Sequence, residues 1–232
     1  MMTTTILAFD TATHACSAAL YHRDHVFSRF EIAPREHSKL LLPMIKSILS
    51  EATITLADVQ VIAFGCGPGS FMGARLATGM AQGLALGLHL PVISVSTLHL
   101  LAQTAYEETP SNVRQVVAGW DARMDGIYWG VYLADQQGIM QPIHDDTLSS
   151  PEAIDINVVR EIPCALVGNA WSVYQARFSS DFFQTCCQKT DLYPDAKAML
   201  AIADAKFSSH EMISPEKIGP RYLRHRVTHH SN

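Results

Sequence analysis

ILAFDTATHACSAALY (6–21) and VVAGWDARMDGIYWGVYL (116–133) share one pattern: an apolar run, a terminal Asp, a tight turn and a second run. Short apolar runs bounded by turn formers read as buried strands. The first unit continues through HRD (22–24) into HVFSRFEI (25–32), which completes a three-stranded antiparallel meander. VQVIAFG (59–65) and LPVISVS (90–96) read as further strands, and CALVGNAW (164–171) echoes VIAFG after the second unit. Two such units, about a hundred residues apart, point to a duplicated α/β architecture. The alternative is coincidence, because hairpins with an acidic turn are common.

Helical patterns fill the spaces between the strands. HSKLLLPMIKSILSE (37–51) has Ser38 as a candidate cap, and Pro43 is expected to kink its first turns. A long helix follows the strand at 59–65, another spans 97–108, SVYQARF (172–178) is a shorter one, and DAKAMLAIADAKF (195–207) is a last one. The tail from Ser208 is polar.

At 232 residues the chain can bury a sizeable core, and its 48% hydrophobic and 17% charged composition is that of a soluble globular protein. A formal net charge of −5 argues against gripping nucleic acid unaided, although it leaves room for a local basic patch. MMTTTILAFD runs into a strand pattern without a basic leader, and the five cysteines lack zinc-type spacing. Reduced thiols in a cytoplasm are therefore expected. The greasy run 76–95 is interrupted by Gln82, His89 and Pro91, so no segment reads as a membrane span.

GCGPGSFMGARLATGMAQGLALG (65–87) matches no phosphate or nucleophile template. A P-loop needs Lys directly after its last Gly. The dinucleotide fingerprint needs Gly where Ser70 stands, and a nucleophile elbow around Ser70 needs Gly at Pro68 and Met72. As a strand-to-helix turn it still offers free backbone N–H groups to an anion. Asp10, Thr11, Gly67, Gly69, Ser70 and Arg75 form the candidate nucleotide or anion set, with Thr13 beside them. The plainer reading of Asp10, and of Asp121, is a turn residue accepting backbone N–H bonds.

Gly79, Gly83 and Gly87 recur every fourth residue, and Gly73, Ala77 and Ala81 form a neighbouring stripe. Gly within a helix costs roughly 1 kcal/mol relative to Ala, so something must pack closely against it, either the chain's own sheet and first helix or a second chain. Leu40, Leu41, Leu42, Met44, Ile45, Ile48 and Leu49 cover more than one helix face, which favours the second chain. The candidate partner-docking set is Leu40, Leu41, Met44, Ile45, Ile48, Gly73, Ala77, Gly79, Met80, Gly83 and Gly87. Metal chemistry finds little: His225 and His229 lie in a polar tail without a carboxylate, and His22 and His25 flank a hairpin turn. The vicinal Cys186 and Cys187 read as incidental. Arg221, Arg224 and Arg226 either touch phosphate or belong to a solvated tail.

ILAFDTATHACSAAL, EHSKLLLPMI, GPGSFMGARL, PVISVSTLHLLA, DARMDGIYWGVY and PRYLRHRV, in this order, resemble the TsaB (YeaZ) family over nearly the whole chain. Met72 and Ala74 depart from the family pattern, which usually has Thr and often Leu there. The resemblance implies a two-lobed, duplicated α/β fold of the actin/Hsp70/sugar-kinase (ribonuclease H-like) class. Its expected divisions are an N-terminal lobe (1–104), a C-terminal lobe (105–207) and a segment (208–232) returning to the first lobe. It also implies a non-catalytic cytoplasmic subunit for N6-threonylcarbamoylation of adenosine in tRNAs reading ANN codons. Such a subunit binds and activates the catalytic subunit TsaD, helps recruit the ATPase TsaE, and reaches tRNA through the complex. TsaD-like chains carry metal-binding histidines four apart, where this chain has Ser96, Thr97, Leu98, His99, Leu100 and Leu101. No metal or cofactor of its own is expected, the joint interface is the candidate place for ATP and Mg²⁺, and a homodimer is the open alternative when TsaD is absent. Two other functions stay open: an ATPase or small-molecule kinase using Asp10 and the Gly67–Ser70 loop, and a peptidase of the glycoprotease-like superfamily.

Overall fold

Ile6–Asp10 (β1), with every residue buried, forms the centre of a five-stranded sheet in the computed structural model, which describes residues 4–108, 113–155, 157, 163–183 and 186–224. Ala15–His22 (β2) and His25–Ile32 (β3) follow as antiparallel neighbours, as the meander pattern requires. On its other side β1 pairs in parallel with Val61–Gly65 (β4), which pairs in parallel with Val92–Val95 (β5). The sheet order is β3-β2-β1-β4-β5. Continuous apolar runs suit β1 and β4 because helices cover both of their faces.

The second sheet repeats this wiring around Gln115–Arg123 (β6). Gly126–Ala134 (β7) and Met140–Ser149 (β8) are antiparallel neighbours, while Cys164–Val167 (β9) and Cys186–Lys189 (β10) are parallel ones. The order β8-β7-β6-β9-β10 matches the first sheet strand for strand. Gly67 after β4 and Gly168 after β9 both have φ of 92° at the strand-to-helix turn. The repeat is thus a duplication of one mixed α/β unit, as the strand-Asp-turn-strand pattern leads one to expect. β8 and β10 were not legible in the sequence. Both are edge strands, and an edge tolerates the Pro142 and the charges that hide a strand pattern.

His37–Glu51 (α1) and Phe71–Leu88 (α2) cover one face of the first sheet. Glu36, not Ser38, takes the cap position of α1, and it makes no side-chain cap bond. Leu41, Ile45 and Ile48 are fully buried, and Met44 and Leu49 nearly so, among Leu7, Phe9, Leu20, Ile62 and Phe64. Ala77, Ala81 and Ala85 of α2 join the same core. The broad apolar surface of α1 is therefore consumed by its own sheet and its neighbouring helix. That corrects the docking set: Leu41, Met44, Ile45, Ile48, Gly73 and Ala77 are buried within the chain and offer nothing to a partner.

The lobes exchange helices. Thr97–Glu108 (α3) leaves the first sheet and packs Leu98, Leu101, Ala102 and Ala105 on Val116, Ala118 and Tyr132 of the second. Ala196–Ser208 (α5) does the reverse, placing Met199, Leu200, Ile202 and Ala203 against Ile6, Ala8, Ala19 and Ile93. Divisions at 104/105 and 207/208 cut across this packing, because cores and not chain order define the lobes. Between them in sequence, Ala170–Val173 (α4) is only one turn long. The described part of the tail runs along the first lobe, with Ile213 bridged to Val92, Ile218 in the core and the Arg221 N–H on the Cys66 carbonyl at 2.7 Å.

Cys164 and Cys186, facing each other in register on β9 and β10, are disulfide-bonded, which corrects the expectation of five reduced thiols. Cys16 and Cys66 are buried free thiols, and Cys187 is an exposed one. Among the described residues no helix is long and apolar enough to cross a membrane.

Burial separates the residues of α1 in a measurable way. Ile45→Ala is expected to cost about 2–5 kcal/mol in urea unfolding, whereas Leu42→Ala, on the exposed side, should cost under about 1 kcal/mol. Equal losses at both positions would contradict this orientation of α1.

Candidate functional site

The β1–β2 turn and the β4–α2 loop pack so closely that glycine is obligatory between them. A Cβ at Gly65 would overlap Asp10 Oδ2, one at Gly69 the Ala12 carbonyl, and one at Gly73 the Thr11 carbonyl. Asp10 is buried. Its Oδ1 accepts the Ala12 N–H at 2.9 Å, and its Oδ2 accepts the Thr97 hydroxyl at 3.2 Å. The Thr11 hydroxyl donates to the Gly73 carbonyl at 2.7 Å, and Thr13 Oγ1 accepts the Ala15 N–H at 3.2 Å. Ser70 caps α2, with its Oγ accepting the Gly73 N–H at 3.3 Å and its own N–H on the Ala12 carbonyl at 2.6 Å.

Asp10, Thr11, Gly67, Gly69 and Ser70 thus meet at one place, with their polar side chains committed to internal bonds. Arg75 does not join them. It lies over the Phe71 ring and donates through Nε to the Tyr222 hydroxyl at 2.7 Å. Burial raises the Asp10 carboxyl to about 6, against the bonds from Ala12 and Thr97 that lower it. Asp121, at the equivalent strand end of the second lobe, accepts the Arg123 N–H and the Tyr174 hydroxyl, each at 2.8 Å, as a turn residue does.

Beside Asp10 lies a group with no sequence signature. Asp146 on β8 is buried and accepts hydrogen bonds from the hydroxyls of Ser96 and Tyr132, and Arg221 Nη1 lies 3.3 Å from its Oδ2. These four residues come from the β5–α3 junction, β7, β8 and the tail, so the group ties both lobes and the C-terminal segment together. Burial, then the Asp146 charge, drives the Tyr132 phenol well above its ordinary range. His99 stacks on Tyr132 at 5.2 Å between ring centroids, and its Nε2–H donates to the Met140 carbonyl. Burial holds its pKa down to about 4, so it is neutral at pH 7. Among the described residues no three His, Cys, Asp or Glu side chains gather as a metal site. His225, His229 and Arg226 lie outside the described residues.

The outer side of α2 is different. Gly79, Gly83 and Gly87 are exposed, and a Cβ at each would meet nothing within 4 Å. Among the described residues no contact within the chain accounts for them. Met80 and Leu84 border the stripe half-buried, Leu86 is exposed, and Leu40 of α1 is half-buried. Of the docking set, Leu40, Gly79, Met80, Gly83 and Gly87 remain at the surface.

Residues 29–229 match the family described as TsaD, tRNA N6-adenosine threonylcarbamoyltransferase. The chain is 38% identical to the tRNA threonylcarbamoyladenosine biosynthesis protein TsaB of Escherichia coli (strain K12), over 96% of this chain and 95% of that one. It is 37% identical to the Haemophilus influenzae protein of the same name, over 98% and 97%. The solved structure of YeaZ from Pseudomonas aeruginosa superposes with a TM-score of 0.87 at 39% identity, covering 95% of this chain and all of that one.

The buried Asp10 makes a titration prediction. Its folded value of about 6 lies above the ordinary 3.8, so folding binds its proton more tightly. Its contribution to stability is full below about pH 4 and is lost as the pH rises to about 6. His99, held low, works in the opposite sense, losing stability as pH falls from about 6.5 to 4. Asp10→Asn removes only the first effect. Relative to wild type, the variant should gain about 3 kcal/mol between pH 4 and pH 7 in parallel urea titrations. A pH-independent difference would refute the burial of an ionisable Asp10.

Proposed function

The chain belongs to the TsaB family of tRNA threonylcarbamoyladenosine biosynthesis proteins, and from that premise we propose that it docks a TsaD-type catalytic subunit instead of performing the chemistry itself. The observation that carries this reading is the exposed Gly79-Gly83-Gly87 stripe. Three glycines on one helix face forfeit about 1 kcal/mol each relative to Ala. They lower that face so that a second helix can approach its backbone, with Met80, Leu86 and Leu40 supplying apolar borders. In the absence of the catalytic subunit the same face pairs two copies of this chain.

The chemistry near Asp10 supports a non-catalytic role. A kinase-like or ATPase site needs carboxylate and hydroxyl groups free to meet phosphate and metal, and those of Asp10 and Thr11 are bonded inward. A histidine-metal centre needs ligands in reach of one ion, and His99 is neutral, stacked and bonded to a carbonyl. ATP and Mg²⁺ then belong to the assembled complex. The family resemblance extends the proposal to seating the ATPase TsaE, with tRNA held chiefly by the other subunits, in a cytoplasmic reaction.

Gly83→Leu tests this reading because it improves the helix while filling the stripe. Its midpoint of thermal unfolding should stay level or rise slightly, since Leu is a better helix former than Gly by roughly 0.5–1 kcal/mol. Co-purification with the TsaD-type subunit should be lost, and with it formation of threonylcarbamoyladenosine in a reconstituted reaction assayed by nucleoside chromatography. Complex formation unaffected by Gly83→Leu and Gly79→Leu would overturn the docking assignment. Full modification activity without this chain would overturn the function.

A further inference from the structure

The mouth between the lobes carries a cluster of arginines and exposed aromatic rings. The Arg75 guanidinium lies 3.7 Å over the Phe71 ring and bonds the Tyr222 hydroxyl, and the two rings are 5.8 Å apart. Phe71 is 55% and Tyr222 42% exposed, which is unusual for aromatic residues already in mutual contact. Two residues on, Arg224 reaches across to the β6–β7 turn, where Nη2 donates to the Ala122 and Arg123 carbonyls and Nη1 lies 3.6 Å from Met124 Sδ. Tyr222 and Arg224 therefore lie within about 7 Å of each other along the chain.

Charge bookkeeping on this surface leaves a surplus. Asp121 pairs with Arg123, Asp146 with Arg221, and Asp125 with Arg177. Among the described residues Arg75 and Arg224 meet no carboxylate within ion-pair distance, so neither charge is compensated by an acid; Arg75 is exposed and Arg224 half-buried. Planar guanidinium groups interleaved with exposed aromatic rings match an unpaired nucleic-acid strand. Rings and guanidinium planes stack on splayed bases, and guanidinium groups take phosphates. An acidic peptide would use the charges and leave Phe71 and Tyr222 without a purpose.

We propose that Phe71, Arg75, Tyr222 and Arg224 form a contact surface for a single-stranded stretch of RNA, with the cluster of Phe71, Arg75 and Tyr222 holding a base and Arg224 a phosphate. The net charge of −5 does not oppose this, because the cations are concentrated at one place while the acids there are already paired. The proposal deepens the functional reading above and rests on it for the identity of the RNA, a tRNA. Phe71, Arg75, Gly79, Gly83 and Gly87 lie at successive four-residue steps of α2, so an RNA held at Arg75 adjoins whatever subunit covers the glycine stripe.

The surface is complete within one chain, so its test does not need the catalytic subunit. A fluorescein-labelled anticodon stem-loop of a tRNA reading ANN codons is titrated with the full chain at several salt concentrations. Arg75→Ala with Arg224→Ala should weaken binding about tenfold or more and flatten the slope of log affinity against log salt by about 0.7, for the one single-strand phosphate held by Arg224. Tyr222→Ala should weaken binding by a similar factor with the slope unchanged, the signature of stacking. Phe71, Arg75 and Tyr222 are exposed and Arg224 is half-buried, and unchanged thermal unfolding of the variants confirms that folding is intact. No binding by wild type, affinities within twofold for all variants, or equal binding of a poly-glutamate peptide would overturn the proposal. Failure of the docking reading shows elsewhere, in co-purification and modification, and leaves this titration untouched.

Discussion

The contact between Gly73 and the Thr11 carbonyl sets the rotational phase of α2, and much else follows from it. No side chain fits at Gly73, so that edge of the helix must face the β1–β2 turn. At 3.6 residues per turn, Ala77, Ala81 and Ala85 then fall inward onto the sheet. Gly79, Gly83 and Gly87 fall on the far side, where nothing among the described residues reaches them. One helix thus carries two small-residue stripes with different causes: close packing inside, and an open approach outside.

A second constraint binds the lobes. Because α3 and α5 are exchanged between the sheets, neither lobe holds a complete core of its own. Asp146 adds a polar lock, drawing Ser96, Tyr132 and Arg221 from three other parts of the chain. A buried carboxylate is costly unless satisfied, and three donors supply that satisfaction. The lock therefore ties both sheets and the C-terminal segment to one buried charge.

Most of the fold was legible in the sequence. Strands such as TILAFD and VIAFG are short, apolar and bounded by turn residues, and α3 and α5 fall within a residue of the periodic segments that announce them. The misses share a cause. β8 and β10 are edge strands, whose polar residues face solvent and erase the pattern. Cys164 and Cys186, 22 residues apart, become neighbours only through the parallel pairing of β9 and β10. The site was legible only as a location: Asp10 and the glycine loop were recognisable, but not that their polar groups are spent on each other. Ser96, Tyr132, Asp146 and Arg221 carry no local spacing at all, since each comes from a different element.

Sequence alone determined the strand-Asp-turn-strand repeat, the α/β class, the family resemblance and the presence of two small-residue stripes on α2. Periodicity and turn chemistry are local, and local signals survive in one dimension. Which stripe is free was decided only by tertiary structure. Leu41, Met44, Ile45 and Ile48 look as available to a partner as Gly83 does until the sheet and α2 are laid against them. Burial depends on what the rest of the chain places nearby, and no spacing within a single helix encodes it.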